Sequence, residues 1–150
     1  MTKYSIRKID ATDRSRWEEL FHGYADFYKV PLEDNTKETV WGWIHDSDND
    51  FWCDLAVDES DNIVGFTQYQ LMHRSLSGGM VCYLSDLFVD PAIRGSGVGR
   101  LMIDHVFAFA KTNNINNVRW LTQDFNYPGR RLYDTYGLKS DFILYSYPVK

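Results

Sequence analysis

Three consecutive stretches decide how this chain reads: the run Tyr83-Leu84-Ser85-Asp86-Leu87-Phe88-Val89, the break Asp90-Pro91, and the cluster Arg94-Gly95-Ser96-Gly97-Val98-Gly99-Arg100. A β-type segment leads into alternating glycines, and a helix-period stripe of Val98, Leu101, Met102, Val106 and Phe109 follows. Alternating glycines let the backbone turn tightly and present successive N–H groups. The helix that starts there adds a partial positive charge of about half a unit. The segment reads as an anion cradle and predicts a phosphorylated ligand. A glycine-rich helix entry needed for sterics alone would give the flanking Arg94 and Arg100 no task.

Spacing sorts the nucleotide-binding motifs that share this logic. A P-loop needs Gly-Lys-Ser/Thr after the glycines, whereas Gly99 is followed by Arg100 and Leu101. A dinucleotide fingerprint needs G-x-G-x-x-G early in repeated βαβ units. Here the glycines stand at alternate positions, well past the middle of the chain. R-G-x-G-x-G after a strand ending in Val89-Asp90-Pro91 resembles the coenzyme A pyrophosphate loop of the GNAT superfamily of N-acetyltransferases. The resemblance extends from about residue 54 to Gly137, through Asn126-Tyr127-Pro128 and Arg131-Leu132-Tyr133-x-x-x-Gly137. Within the superfamily, Tyr83-Leu84-x-Asp86 together with Asn126-Tyr127-Pro128 and Leu132-Tyr133 is most similar to the spermidine/spermine (or thialysine) acetyltransferases and the yeast histone and polyamine acetyltransferases.

Outward from the loop, apolar periodicity predicts an α/β (α+β) chain. Residues 4–9 read as a strand and 14–28 as a helix in which Trp17, Leu20, Phe21 and Tyr24 keep one face. Pro31 breaks that region, and residues 36–45 read as a second helix. Residues 51–57, 63–72 and 80–89 form an antiparallel meander, with residues 58–62 as a polar turn. A helix over 98–111 crosses over to a strand at 117–123 that runs parallel to the one before the loop. A short helix at 128–136, with Gly137 after it, and a closing strand at 142–147 complete the sheet. The resemblance implies a GNAT fold, a mixed central sheet of about six to seven strands, antiparallel apart from a central parallel pair that splays, with helices on both faces.

At 150 residues with 44% hydrophobic content, the chain supports one core, and residues 1–150 read as one domain. A formal charge of −5 argues against nucleic acid as a partner and suits a cationic substrate. Cys53 and Cys82 lack metal-site spacing and read as reduced core residues of a cytoplasmic protein. His22, His45, His73 and His105 are dispersed, so no metal site is expected. The 46–50 acidic turn lacks the glycine and the terminal glutamate of a calcium loop. No stretch approaches the ~20 apolar residues of a membrane span.

The resemblance implies an acetyl-CoA-dependent N-acetyltransferase that moves the acetyl group directly to a primary amine of a small molecule. Polyamine or diamine leads, ahead of amino acid, aminoglycoside and peptide or histone lysine. Backbone groups of Leu87, Phe88 and Val89 would meet the pantetheine and acetyl end. Gly95, Ser96, Gly97, Val98, Gly99 and Arg100 would take the pyrophosphate, with Arg94 as charge partner. Tyr133 stands where the family's acid tyrosine stands, as proton donor to the departing thiolate. Asn126 either contacts the pantetheine arm or caps the helix that follows. For the base, the similar polyamine enzymes carry glutamate where this chain has Ser85. Asp86 is then either the catalytic carboxylate or a structural one, and Ser85 a positioner of a relay water. Tyr28, Glu33, Asp34 and Trp41 are candidates for gripping an ammonium by ion pairing and cation–π attraction. A homodimer follows by family analogy, with residues 143–147 as a pairing strand. A non-catalytic acyl-CoA-binding module is the alternative, and a ligand-free interaction domain a third reading.

Overall fold

A computed structural model describes residues 2–137 and 139–150. They divide into two compact units, Met1–Trp120 and Leu121–Lys150. The first unit is built on a five-stranded sheet in the order β1-β2-β3-β4-β5, with β1 Ser5–Lys8, β2 Phe51–Val57, β3 Ile63–Arg74, β4 Gly79–Val89 and β5 Val118–Arg119. The first four strands pair antiparallel, and β5 pairs parallel to β4 at Cys82↔Val118 and Tyr83↔Arg119.

Helices α1 (Arg14–Phe27) and α2 (Asp34–His45) cover one face, and α3 (Val98–Thr112) covers the other. On the α1 side, Trp17 and Leu20 pack with Leu55, Phe66 and Phe88. On the α3 side, Val98 and Met102 pack against Ala56 and Val64. Burying each large side chain contributes roughly 1.5–3 kcal/mol, enough to fix which face of each helix turns inward. Polar bonds set the register of the packing. On the α3 face, the Tyr69 hydroxyl donates to Asp54 Oδ2 at 2.6 Å, and His105 Nε2 lies 2.7 Å from the same oxygen. At the N-terminus, Arg7 grips the buried Asp13 carboxylate through both Nη atoms, at 2.8 and 2.9 Å.

At two positions other atoms approach the backbone so closely that only glycine leaves room for them. Gly23 on α1 faces the Phe88 ring, and a Cβ at Gly65 on β3 would stand 2.8 Å from the Phe88 carbonyl oxygen.

The second unit carries α4, Tyr127–Asp134, which starts on an Asn126 cap: Asn126 Oδ1 accepts from Gly129 N at 3.3 Å. Asn126 Nδ2 also donates to Thr122 Oγ1 at 2.8 Å. Gly137, at φ +97°, donates its N–H to Asp134 O just beyond the helix end.

Two strand expectations are corrected. The strand expected at 117–123 contracts to Val118–Arg119, because β4 offers partners only at Cys82 and Tyr83 before its backbone irregularity begins. Residues 142–147 form no strand, so the described sheet has five strands rather than six or seven. Phe142, Ile143, Leu144, Tyr145 and Tyr147 are all exposed, and Phe142 N donates only locally, to Ser140 Oγ. Aromatic and β-branched residues confer β propensity, but a strand also needs an edge to pair with.

Candidate active site

The pairing of β3 with β4 jumps from Gln68↔Asp86 to Tyr69↔Leu84, which leaves Ser85 as an extra residue in β4. This bulge re-aims the side chains around it. Directly opposed residues share a face. Leu84 therefore points with Tyr69, whose ring meets Phe109 of α3, and Asp86 points with Gln68, which bonds Trp17 of α1. Strict alternation would have sent Asp86 to the same side as Leu84. The extra residue instead gathers Tyr83, Ser85 and Asp86 on the α1 side of the sheet.

Polar partners hold that cluster in place. Gln68 Nε2 donates to Asp86 Oδ2 at 2.7 Å, and Gln70 Nε2 donates to Ser85 Oγ at 2.9 Å. The Tyr24 hydroxyl donates to Ser85 O at 3.3 Å and also reaches the Asp86 carboxyl. Burial raises the Asp86 pKa above the ordinary carboxylate value, and the bonds from Gln68 and Tyr24 offset part of that rise. Burial, followed by the neighbouring Asp86 and Tyr28, raises the Tyr83 phenol as well. A carboxylate with a raised pKa beside the two phenols of Tyr24 and Tyr83 can accept a proton from an ammonium group and can hold that cation against ring faces.

Beyond the bulge, β4 runs toward the glycine loop, and among the described residues no strand lies beside residues 84–89 on the edge where β5 has ended. Leu87 and Val89 pack on the α3 side, and Phe88 on the α1 side. Asp90 turns the chain by accepting from Ala92 N at 2.9 Å, while Arg16 Nη2 bonds its other oxygen at 2.7 Å. Arg94 folds back, with Nε donating to Val89 O at 3.2 Å and its guanidinium 5.3 Å from the Phe88 ring centre. Gly23, Phe27, Phe88, Asp90 and Arg94 line a groove of about 510 Å³ next to this turn.

Gly95 and Gly97 have φ of +86° and +87°, a region that side chains with a Cβ rarely adopt. Gly97 is the N-cap of α3 and no side chain caps the helix, whose first backbone bond runs from Leu101 N to Gly97 O. The N–H groups of the first turn have no partner within the helix. Open space surrounds both positive-φ glycines. These residues fit a pyrophosphate: a helix start with no side-chain cap, open space at two glycines, a helix dipole behind them and Arg100 exposed nearby.

Of the other candidates, Tyr28 packs edge-on against Tyr24 with ring centres 5.1 Å apart, and it neighbours Tyr83. Glu33 precedes α2, and Asp34 pairs with Lys37 at 3.1 Å. Trp41 packs on Trp17 at 5.1 Å, with the Arg14 guanidinium 5.4 Å from its ring centre. Asn126 and the half-buried Tyr133 stand on the second unit. Cys53 and Cys82 are free and buried. Burial holds the Cys53 thiol well above its ordinary pKa and pushes Cys82 up to about 11, so both are poor nucleophiles at neutral pH. Sequence reasoning does not single out Tyr24 or Gln68. The available signal is Thr67-Gln68 in the middle of a strand that is apolar on both sides.

The model of the acetyltransferase (GNAT) family matches residues 17–138. A D-amino-acid N-acetyltransferase, HPA3 of Saccharomyces cerevisiae, is 29% identical over 141 residues, covering 93% of this chain and 88% of that protein. The uncharacterized N-acetyltransferase YhfO of Bacillus subtilis is 26% identical and covers 91% of each. A crystal structure of a probable acetyltransferase superposes with a TM-score of 0.85 at 23% identity, over 97% of this chain and 98% of the other, and so shares the fold. With a glycine loop at the head of α3, a bulged β4 and a family match that spans both units, the chain belongs to the acetyltransferase (GNAT) family and is an N-acetyltransferase.

Proposed function

We propose that this enzyme transfers the acetyl group of acetyl-CoA directly to the primary amine of a small molecule, with residues 1–150 acting as one domain. The observation that carries this reading is the Asp86 carboxylate, raised in pKa and ringed by Tyr24 and Tyr83, on the strand that leads into the glycine loop. Acetyl-CoA supplies an activated thioester when bound. Ser96, Gly97, Val98 and Gly99 offer N–H groups to its pyrophosphate, and Arg94 and Arg100 add positive charge. Leu87, Phe88 and Val89 offer backbone groups to the pantetheine arm, and Asn126 either meets that arm or serves only as a helix cap. Asp86 accepts the proton of the acceptor ammonium, and Tyr133 donates its hydroxyl proton to the leaving sulfur. The buried thiols support transfer without a covalent enzyme intermediate.

A diamine or polyamine is the leading acceptor, because phenol faces and a carboxylate suit an alkylammonium. The relative named a D-amino-acid N-acetyltransferase favours a second reading, the α-amine of an amino acid. We further propose a cytoplasmic homodimer. The exposed Ile143, Leu144 and Tyr145 support a second copy as their partner. Among the described residues no helix is long and apolar enough to cross a membrane.

The test is amine-dependent thiol release from acetyl-CoA across polyamines, D- and L-amino acids, aminoglycosides and lysine peptides. Release ranked highest with polyamines supports the first reading, and highest with amino acids the second. Saturable acetyl-CoA binding with no release from any amine would overturn both.

A further inference from the structure

A buried chain of hydrogen bonds crosses from α1 to the candidate base. Trp17 is fully buried, and its indole Nε1–H donates to Gln68 Oε1 at 2.9 Å. Gln68 is also fully buried, and its Nε2 donates to Asp86 Oδ2 at 2.7 Å. An amide can ordinarily turn either end toward a neighbour, but an indole N–H is a donor only. Trp17 therefore settles the orientation: the oxygen of Gln68 must face the indole, and the NH2 must face the carboxylate. No rotation of Gln68 lets it accept a proton from Asp86 without placing two donors, its own NH2 and the indole N–H, against each other.

We propose that Gln68 and Trp17 are positioning residues for Asp86, holding its Oδ2 as a permanent hydrogen-bond acceptor so that the proton leaving the substrate ammonium is taken up at Oδ1. This rests on the reading of Asp86 as the base. The step balances as an ammonium and a carboxylate giving a neutral amine and a carboxylic acid, with the proton on Oδ1 and the nitrogen lone pair free to attack. Tyr24 complements the lock. Its hydroxyl donates to Ser85 O at 3.3 Å and reaches Asp86, so it can donate to the carboxylate or accept from the acid. The other titratable groups that face Asp86 are Tyr83 on β4 and the Cys53 thiol on β2, with Tyr28 beyond Tyr83. None of them is a cation that could hold the carboxylate ionised. That task falls to the neutral donors Gln68 and Tyr24, and Trp17 guarantees one of them.

The experiment follows the protein through a pH titration by NMR, reading Asp86 13Cγ and the Gln68 side-chain 15N together, with Asp86→Asn to assign the carboxyl. In the unmodified protein, the Gln68 amide shift should trace the same titration as Asp86. A Gln68 resonance flat across the Asp86 transition overturns the inference without any variant. Gln68→Leu should move the Asp86 midpoint upward by about one unit, the size expected for losing a bond to a charged group in a buried site. Trp17→Phe, which keeps a ring in the core but removes the donor, should move it in the same direction by less. Gln70→Leu, which touches Ser85 instead, should leave it in place. The acid limb of the kcat/KM profile should move with the NMR midpoint. If the midpoint moves and the limb does not, the bond chain stands but Asp86 is not the base, and the reading beneath the inference fails. If folded variants leave the midpoint unchanged, the positioning role itself fails.

Discussion

A Cβ placed on Gly23 of α1 would stand 2.9 Å from Cζ and 3.0 Å from Cε2 of the Phe88 ring on β4. Phe88 has little room to yield, because Tyr24, Phe66 and the Arg94 guanidinium surround it at centre distances of 6.1, 6.2 and 5.3 Å. Gly23→Ala should gain about 1 kcal/mol of helix propensity and lose roughly 1–3 kcal/mol to overpacking, for a net loss. Urea denaturation of Gly23→Ala, Phe88→Leu and the double variant checks this. The two losses should add to more than the loss in the double variant, since a smaller side chain at 88 admits the methyl.

Gly97 presents the opposite case, in which space is open and the backbone is the obstacle. At φ +87° an added Cβ touches nothing, yet the conformation costs a side-chain-bearing residue about 1–2 kcal/mol. Gly97→Ala should relieve that strain by reshaping the loop. The expected outcome is an acetyl-CoA Kd raised about tenfold in calorimetry, with a fall in Tm of only a few degrees.

Tyr133→Phe separates chemistry from binding. Removing one hydroxyl should lower kcat by about 100-fold or more while the acetyl-CoA Kd stays within a factor of about two. Kinetics and calorimetry on the same preparation check it, and a large loss of affinity with kcat intact would remove Tyr133 as the acid.

Asp86→Asn should trade activity for stability. Burial raises the folded-state pKa of Asp86 above its unfolded value. Between those two values the native state holds the extra proton, so stability falls as pH rises through that window, and the ionised group is a cost at neutral pH. The asparagine variant should be inactive, with a Tm at pH 7 about 2–4 °C higher and an advantage that disappears in acid. Calorimetric scans at several pH values test the sign.

Asp13 carries the opposite sign. The Arg7 hydrogen bonds lower its pKa below the ordinary value of 3.8. Its contribution is therefore fully present above that value and is lost as pH falls through the folded value. Asp13→Asn should cost about 2 kcal/mol at neutral pH, where it leaves Arg7 short of a partner, and progressively less in acid. Denaturation midpoints from pH 7 down to pH 3 follow the convergence of the two proteins.

The parts of the fold that were legible in the sequence are those with local causes. Residues 51–57 are bounded by polar turns and fold as β2 with the expected limits, and α3 starts at Val98 because Gly97 takes a conformation that ends the loop. The glycine cradle is readable for the same reason. The direction of Asp86 is not, because it depends on Ser85 having no opposite number on β3, a property of the pair of strands and not of either one. The importance of Gln68 likewise appears only once α1 lays Trp17 against it. Residues 142–147 carry the aromatic and aliphatic composition of a strand, but composition cannot show whether an edge is available to receive it.

Ser85 works as a frame shift in the parity of β4. Everything before it obeys one assignment of odd and even positions to the two sides of the sheet, and everything after it obeys the reverse. Deleting that one residue would alter no chemistry in the remaining chain. It would also join Leu84 directly to Asp86, keep the pairs Tyr69↔Leu84 and Gln68↔Asp86, and so leave Asp86 and Phe88 on the α1 side while the bulge itself disappears. The side each residue takes is therefore set by the number of paired residues and not by their identity: deleting the unpaired Ser85 should be tolerated by the core, whereas deleting the paired Leu87 would send Phe88 into the packing around Met102 and Val89 toward Trp17.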